Sequence, residues 1–313
     1  MNRQLAFLFP GQGSQSVGMG KALAQQFPVA AQVFAEADDT LGVALSTLCF
    51  EGPEDELKLT VNAQPAILAT SIAALRVLDQ EVGVRPVYVA GHSLGEYSAL
   101  VAAGALSLTD ALRIVRERGR LMQEAVPPGA GTMAALFGLS AEDVAQVCAE
   151  AAQGEVVSPA NLNGGGQVVV AGHGDAVRRT IALAKSRGAK RAVELTVSAP
   201  FHCALMAPVA EQLAQVLDPV TIYPLAVGVI TNVTATVNQE PAQVKDLLVQ
   251  QVTAPVRWEE SMQRLHTLGC QAAIEIGPGR VLAGLVKRIV SDLPCVSFSD
   301  PEQMAEARKI LAQ

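Results

Sequence analysis

The sequence predicts an α/β fold, a parallel sheet packed with helices, interrupted by a ferredoxin-like insert. Three observations carry the prediction. Half of the 313 residues are hydrophobic and only 4% aromatic, and the abundance of Ala, Val, Leu and Gly suits close packing of helix on sheet. Short apolar runs at 5–9, 87–90, 227–230 and 272–276 alternate with longer helical stretches. Between Pro127 and Pro200 the rhythm shortens to a compact series of strands and helices.

Residues 5–9 (Leu-Ala-Phe-Leu-Phe) form a strand that stops at Pro10 and a glycine-rich turn. Residues 18–50 read as helical, and 63–80 as a long helix after Pro65. The strand at 87–90 runs into Gly91-His92-Ser93-Leu94-Gly95 and then a helix from Glu96. Residues 109–125 form a helix opened by Thr109 and Asp110 as cap. Pro127-Pro128-Gly129-Ala130-Gly131 is the strongest linker signal. Beyond it come a strand at 132–139, a helix capped by Ser140, a strand at 168–171, a helix at 175–186 and a strand at 192–197. This series closes at Ser198-Ala199-Pro200 and reads as a split βαβ unit. It divides the chain into a core of 1–127 and 200–313 and a subdomain of 128–199.

Composition excludes several functions. A net charge of −7 argues against nucleic acid as a partner. No run approaches the 18 or so continuous apolar residues of a membrane span, and the N-terminus has no leader-like pattern. The five cysteines are dispersed without metal or redox spacing, so no metal site is expected and they read as reduced thiols in the cytoplasm. The sequon-like Asn232-Val233-Thr234 is then incidental.

Gly91 to Gly95 has the G-x-S-x-G form of a nucleophile elbow, with the strand before it and the helix after it that such a turn needs. Ser93 is therefore the candidate nucleophile. Its hydroxyl is protonated at neutral pH and requires a base. Of four histidines, His92 should point away from Ser93, and His173 sits in a Gly-His-Gly turn. His202, where the insert returns to the core, is the leading candidate, with His266 its rival. No acid presents itself to orient the histidine, so a backbone carbonyl is expected to serve.

The string 9–18 (FPGQGSQSVG) imitates phosphate-binding loops without meeting their spacing. As a loop after the first strand it can offer the N–H of Gln12 to an oxyanion, alongside the N–H of Leu94. Among the arginines at 113, 116, 118 and 120, Arg118 precedes Gly119 and is suited to grip a carboxylate if buried.

Eight segments in order extend the pattern: FPGQGSQ (9–15), AQPAIL (63–68), GHSLGEYSAL (91–100), RG-x-x-M (118–122), NLNGGGQVVVAG (161–172), APFHCALM (199–206), TNVTA (231–235) and IEIGPGRVLAGL (274–285). From residue 5 to 290 the chain resembles the malonyl-CoA:acyl carrier protein transacylase family. The resemblance implies an α/β-hydrolase-like core carrying a ferredoxin-like subdomain. It implies Ser93 as nucleophile, His202 as base, Gln12 and Leu94 as oxyanion donors, and Arg118 as the partner of the malonyl carboxylate. It further implies that Gln64 lines the acyl pocket and that the main-chain carbonyl of Gln251 orients the histidine. Malonyl-CoA and the phosphopantetheine thiol of acyl carrier protein are the implied substrates, in fatty acid synthesis and with no cofactor. An uncharged acetyl group would leave a buried guanidinium at 118 unpaired, which favours malonyl. The rival readings are a serine thioesterase or hydrolase, a non-catalytic scaffold, and the same chemistry in polyketide assembly or malonate decarboxylation.

Overall fold

A computed structural model describes residues 4–127, 129–195, 197 and 199–312. Pro128 of the linker, and Thr196 and Ser198 at the end of the insert, lie outside them. Among the described residues ten strands follow one another: β1 (Leu5–Phe9), β2 (Tyr88–Gly91), β3 (Gly131–Phe137), β4 (Val157–Gly164), β5 (Gln167–His173), β6 (Arg191–Leu195), β7 (Gly228–Ile230), β8 (Val237–Asn238), β9 (Ala272–Ile276) and β10 (Cys295–Phe298).

They form two sheets. The larger has the order β10-β9-β1-β2-β7-β8, parallel except for the edge strand β8. Every residue of β1 and β9 is buried, as expected of strands covered on both faces. The register pairs Phe9 with Gly91, so the loop after β1 and the turn after β2 leave the same edge side by side. In parallel sheets that carboxyl-end edge is where sites form. The smaller sheet is antiparallel with the order β4-β5-β3-β6. Its helices Ala141–Ala152 and Gly174–Ser186 bury Val144, Val147, Ala176 and Val177 against Leu136, Val168 and Val170, a hydrophobic cluster of its own.

The structure bears out the α/β class with its parallel sheet and corrects several local readings. Residues 18–50 are three helices, Lys21–Gln26, Pro28–Leu41 and Leu45–Glu51. Pro28 cannot donate the N–H that would continue the first helix, and Gly42, at φ 64°, ends the second. The long helix runs Thr60–Val82 with Pro65 inside it. Burial of Ala63 to Ala74 outweighs the hydrogen bond that Pro65 cannot make. This helix is long and apolar enough to cross a membrane, but 78% of its most apolar stretch is buried within the protein. It packs between Pro28–Leu41 and Leu108–Glu124 as a core element. The helix read from Thr109 starts at Leu108 and is capped by Ser107, whose Oγ accepts from Asp110 N at 3.0 Å. Thr109 Oγ1 instead donates to Glu36.

The insert holds one strand more than its sequence pattern suggested. β4 carries Pro159, two asparagines and irregular register, features tolerated at an edge and easily mistaken for a loop. With it the series becomes β-α-β-β-α-β, the complete ferredoxin-like unit. β4 also reaches the core: Leu162 N donates to Val256 O at 2.8 Å and Val256 N to Ala160 O at 2.9 Å.

Candidate active site

Ser93 stands at the carboxyl end of β2 with φ 51°, the left-handed region that non-glycine residues rarely occupy. Both glycines of the pentapeptide are required by space. A Cβ on Gly91 would overlap the Gly95 carbonyl, and one on Gly95 would overlap the Phe9 carbonyl. The close approach of Gly95 to β1 seats the helix Gly95–Ala102 against the strand edge with Leu94 as its N-cap. Asn232, in the loop between β7 and β8, holds the turn from outside. Its Oδ1 accepts from Ser93 N at 2.7 Å, and its Nδ2 donates to Gly91 O at 2.7 Å.

The hydroxyl of Ser93 meets two partners. Its Oγ lies 2.7 Å from His202 Nε2, and Arg118 Nη2 donates to it at 3.2 Å. His202 is buried, and its Nδ1 lies 2.8 Å from the main-chain O of Gln251. That contact places the ring proton on Nδ1 and leaves Nε2 free to accept from Ser93. Burial, followed by the positive charge of Arg118, lowers the His202 pKa to about 3. The imidazole is therefore neutral, the form a base requires. His266 is exposed and contacts Asp292, away from this group. His173 Nδ1 accepts from Val156 N. His92, whose pKa partial burial lowers, turns its Nε2 to Asn163 Oδ1 at 2.9 Å.

Arg118 is 1% exposed. The following Gly119 lets its helix close on Thr60–Val82, since a Cβ there would come within 2.6 Å of Thr60 O. Arg118 Nη1 donates to Gln64 Oε1 at 2.8 Å and Nη2 to Gln251 Oε1 at 2.9 Å, while the guanidinium lies 5.4 Å from the Tyr97 ring centre. This corrects one expectation. Two carboxamide oxygens and Ser93 already pair the guanidinium, so an acetyl group would not leave it bare. A preference for a carboxylate here would come from exchanging neutral acceptors for an anionic one.

These groups line a cleft of about 480 Å³ between the two sheets. Gln12 and Leu94 line it beside Ser93, and Gln64 and Arg118 lie at its depth. Met133, Val169 and Leu195 of the insert supply an apolar wall. Gln12 Nε2 is tethered to Thr60 Oγ1 at 3.1 Å, which steadies the loop after β1. The sequence-predicted residues are thus together, His266 excepted. Two partners had not been singled out: Asn232, dismissed with its sequon, and Glu96, whose Oε2 accepts from Gln251 Nε2 at 2.7 Å and Asn232 N at 3.1 Å. Each lies inside a quoted motif, TNVTA and GHSLGEYSAL.

Fold and site together define a class, the α/β acyl-group transferases. The chain belongs to the acyl transferase family, whose domain matches residues 6–306. It is 52% identical over 311 residues to the malonyl CoA-acyl carrier protein transacylase of Bacillus subtilis strain 168, covering 99% of this chain and 98% of that protein. To the protein of the same name from Escherichia coli K12 it is 48% identical over 307 residues, covering 98% and 99%. Among solved structures, the acyl carrier protein S-malonyltransferase of Vibrio cholerae superposes with a TM-score of 0.95 at 48% identity, covering 97% and 99%. A malonyl-transacylase solved in complex with its type II PKS acyl-carrier protein superposes with a TM-score of 0.96 at 47% identity, covering 98% and 99%.

Proposed function

We propose that the protein transfers the malonyl group of malonyl-CoA to the phosphopantetheine thiol of acyl carrier protein, supplying fatty acid synthesis, by way of malonyl-Ser93. The observation that carries the reading is the double contact at one oxygen: Ser93 Oγ faces His202 Nε2 at 2.7 Å and Arg118 Nη2 at 3.2 Å. A base and a carboxylate anchor within reach of one hydroxyl suit an acyl group that ends in a carboxylate. The names of the relatives support the choice of substrates.

His202 takes the Ser93 proton on Nε2 as Oγ attacks the thioester carbon, and the Gln251 carbonyl stabilises the imidazolium through Nδ1–H. The N–H groups of Gln12 and Leu94 receive the oxyanion, where loss of one donor typically costs about a hundred- to a thousandfold in rate. Collapse breaks the carbon–sulfur bond, and the thiol of coenzyme A leaves with the proton from His202. The carrier-protein thiol then attacks malonyl-Ser93, gives its proton to His202 and leaves as the malonyl thioester, restoring Ser93. Arg118 holds the free carboxylate through both half-reactions, with Gln64 beside it. Every bond change is supplied by these groups, and no cofactor enters. We assign the core to 1–127 and 200–313, the subdomain to 128–199, and the enzyme to the cytoplasm.

Mass spectrometry of the protein mixed with malonyl-CoA tests the reading. A malonyl adduct on Ser93, absent in Ser93→Ala, is expected. Labelling elsewhere, or none, overturns it, and release of free malonate without a thiol acceptor marks a hydrolase.

A further inference from the structure

Behind the serine and histidine lies a buried carboxylate that the mechanism leaves unused. Glu96 is 2% exposed, and it lines a small cavity with Leu100, Val229, Val244 and Leu248 and the polar Thr231 and Asn238. One of its oxygens, Oε2, stands at a fork. It accepts from Gln251 Nε2 at 2.7 Å and from Asn232 N at 3.1 Å.

Each branch of the fork ends on Ser93 or its base. Gln251 presents its main-chain O to His202 Nδ1, its Oε1 to Arg118 Nη2 and its Nε2 also to Ser93 O at 3.1 Å. Its carboxamide therefore bridges the cation of Arg118 and the carboxylate of Glu96, and both polarise the amide in the same sense. Asn232 presents its carboxamide to Ser93 N and Gly91 O. We propose that Glu96 is a positioning residue for acyl transfer, fixing Gln251 so that its carbonyl aligns His202 and fixing Asn232 so that the elbow keeps its strained turn. The inference rests on reading Ser93 and His202 as nucleophile and base.

The ionised carboxylate makes charge-assisted bonds to both donors, stronger than those of the neutral acid. Burial raises the Glu96 pKa to about 7, whereas His202 is already neutral above about 3. The other titratable groups near Glu96 are Arg118, lowered by burial but an arginine and so still cationic, and Tyr97, pushed up to about 12; His92, lowered from its ordinary value, is bonded to Asn163. An acid limb near neutrality in the rate of Ser93 acylation then belongs to Glu96 and not to the histidine.

Rapid-quench mass spectrometry of malonyl-Ser93 formation across pH tests this in wild type, Glu96→Gln and Glu96→Asp. In wild type the rate should rise through about pH 7. Glu96→Gln should lose that rise and lower the plateau by roughly ten- to a hundredfold, the scale of an ångström-level misplacement. Glu96→Asp withdraws the acceptor by about 1.5 Å; it should keep a titrating limb at a lowered plateau. A Glu96→Gln protein that follows the wild-type curve at the wild-type rate overturns the proposal. If its melting curve shows Glu96→Gln unfolded, the aspartate variant decides, and a wild-type rate and limb there overturn the proposal equally. Failure of the wild type itself to form the adduct refutes the nucleophile reading instead.

Discussion

Replacing Arg118 by alanine should erase the preference for malonyl over acetyl, and the structure sets the scale of the loss. The guanidinium has five N–H donors. Three are engaged by protein groups, Gln64 Oε1, Gln251 Oε1 and Ser93 Oγ. A malonyl carboxylate binding through two oxygens replaces two neutral acceptors with anionic ones. Both kinds of bond carry the charged guanidinium, and such bonds span about 1.5–3 kcal/mol; exchanging a neutral acceptor for a carboxylate moves each from the lower end toward the upper, a gain of roughly 1–1.5 kcal/mol per bond. Two bonds give about 2–3 kcal/mol, or about a 30- to 150-fold effect. The assay is the ratio of kcat/KM for malonyl-CoA to that for acetyl-CoA, in wild type and Arg118→Ala. The ratio should fall by that factor, chiefly through the malonyl term. Arg118→Lys, which keeps charge and loses the fork, should fall between. A ratio that changes less than about threefold, well below the worked range, would refute the assignment of Arg118 to the carboxylate.

Two further outcomes are expected. The lowered pKa of His202 is a stability statement with a definite sign: the neutral ring's contribution is present above 6.5, the ordinary histidine value, and is lost as pH falls toward about 3. In thermal melts the advantage of wild type over His202→Gln should therefore shrink across that window, by up to on the order of 4–5 kcal/mol, and a constant gap would contradict it. Asn232→Ala orphans the N–H of Ser93 and the carbonyl of Gly91. At roughly 1–3 kcal/mol for each group, denaturant unfolding should show a loss of about 2–6 kcal/mol; a loss under about 1 would mean that water or another group takes over.

Much of the site is legible in the sequence because its signals are local. The elbow is a strand, a turn and a helix start within fifteen residues, and both glycines follow from backbone crowding. The Arg118-Gly119 pair carries its meaning in adjacent positions. What stays hidden depends on distant partners or on atoms that every residue shares. Gln251 orients His202 through a main-chain carbonyl, which no residue type announces, and resemblance alone singled it out. Asn232 and Glu96 gain their roles from contacts 139 and 155 residues away. β4 escapes detection because an edge strand can hold proline and asparagine without breaking a ladder. The cap at Ser107 in place of Thr109 is a shift of two residues between hydroxyls of similar chemistry.

The ferredoxin-like insert enters and leaves the core at one place, since a Cβ on Gly131 would stand 2.5 Å from the Pro200 ring. By connectivity alone it is a detachable module, and a protein engineer seeking a smaller catalyst would cut there. The two main-chain bonds between β4 and Val256 make that cut expensive. Excision would strand the N–H and the carbonyl of a fully buried residue five positions beyond Gln251. It would also take Asn163 from His92 and remove the apolar side of the cleft. The trimmed chain would keep Ser93, His202 and Arg118, but in a trench open on the side that Met133, Val169 and Leu195 now cover. What this fold cannot shed is the smaller sheet, which walls the cleft beside Ser93.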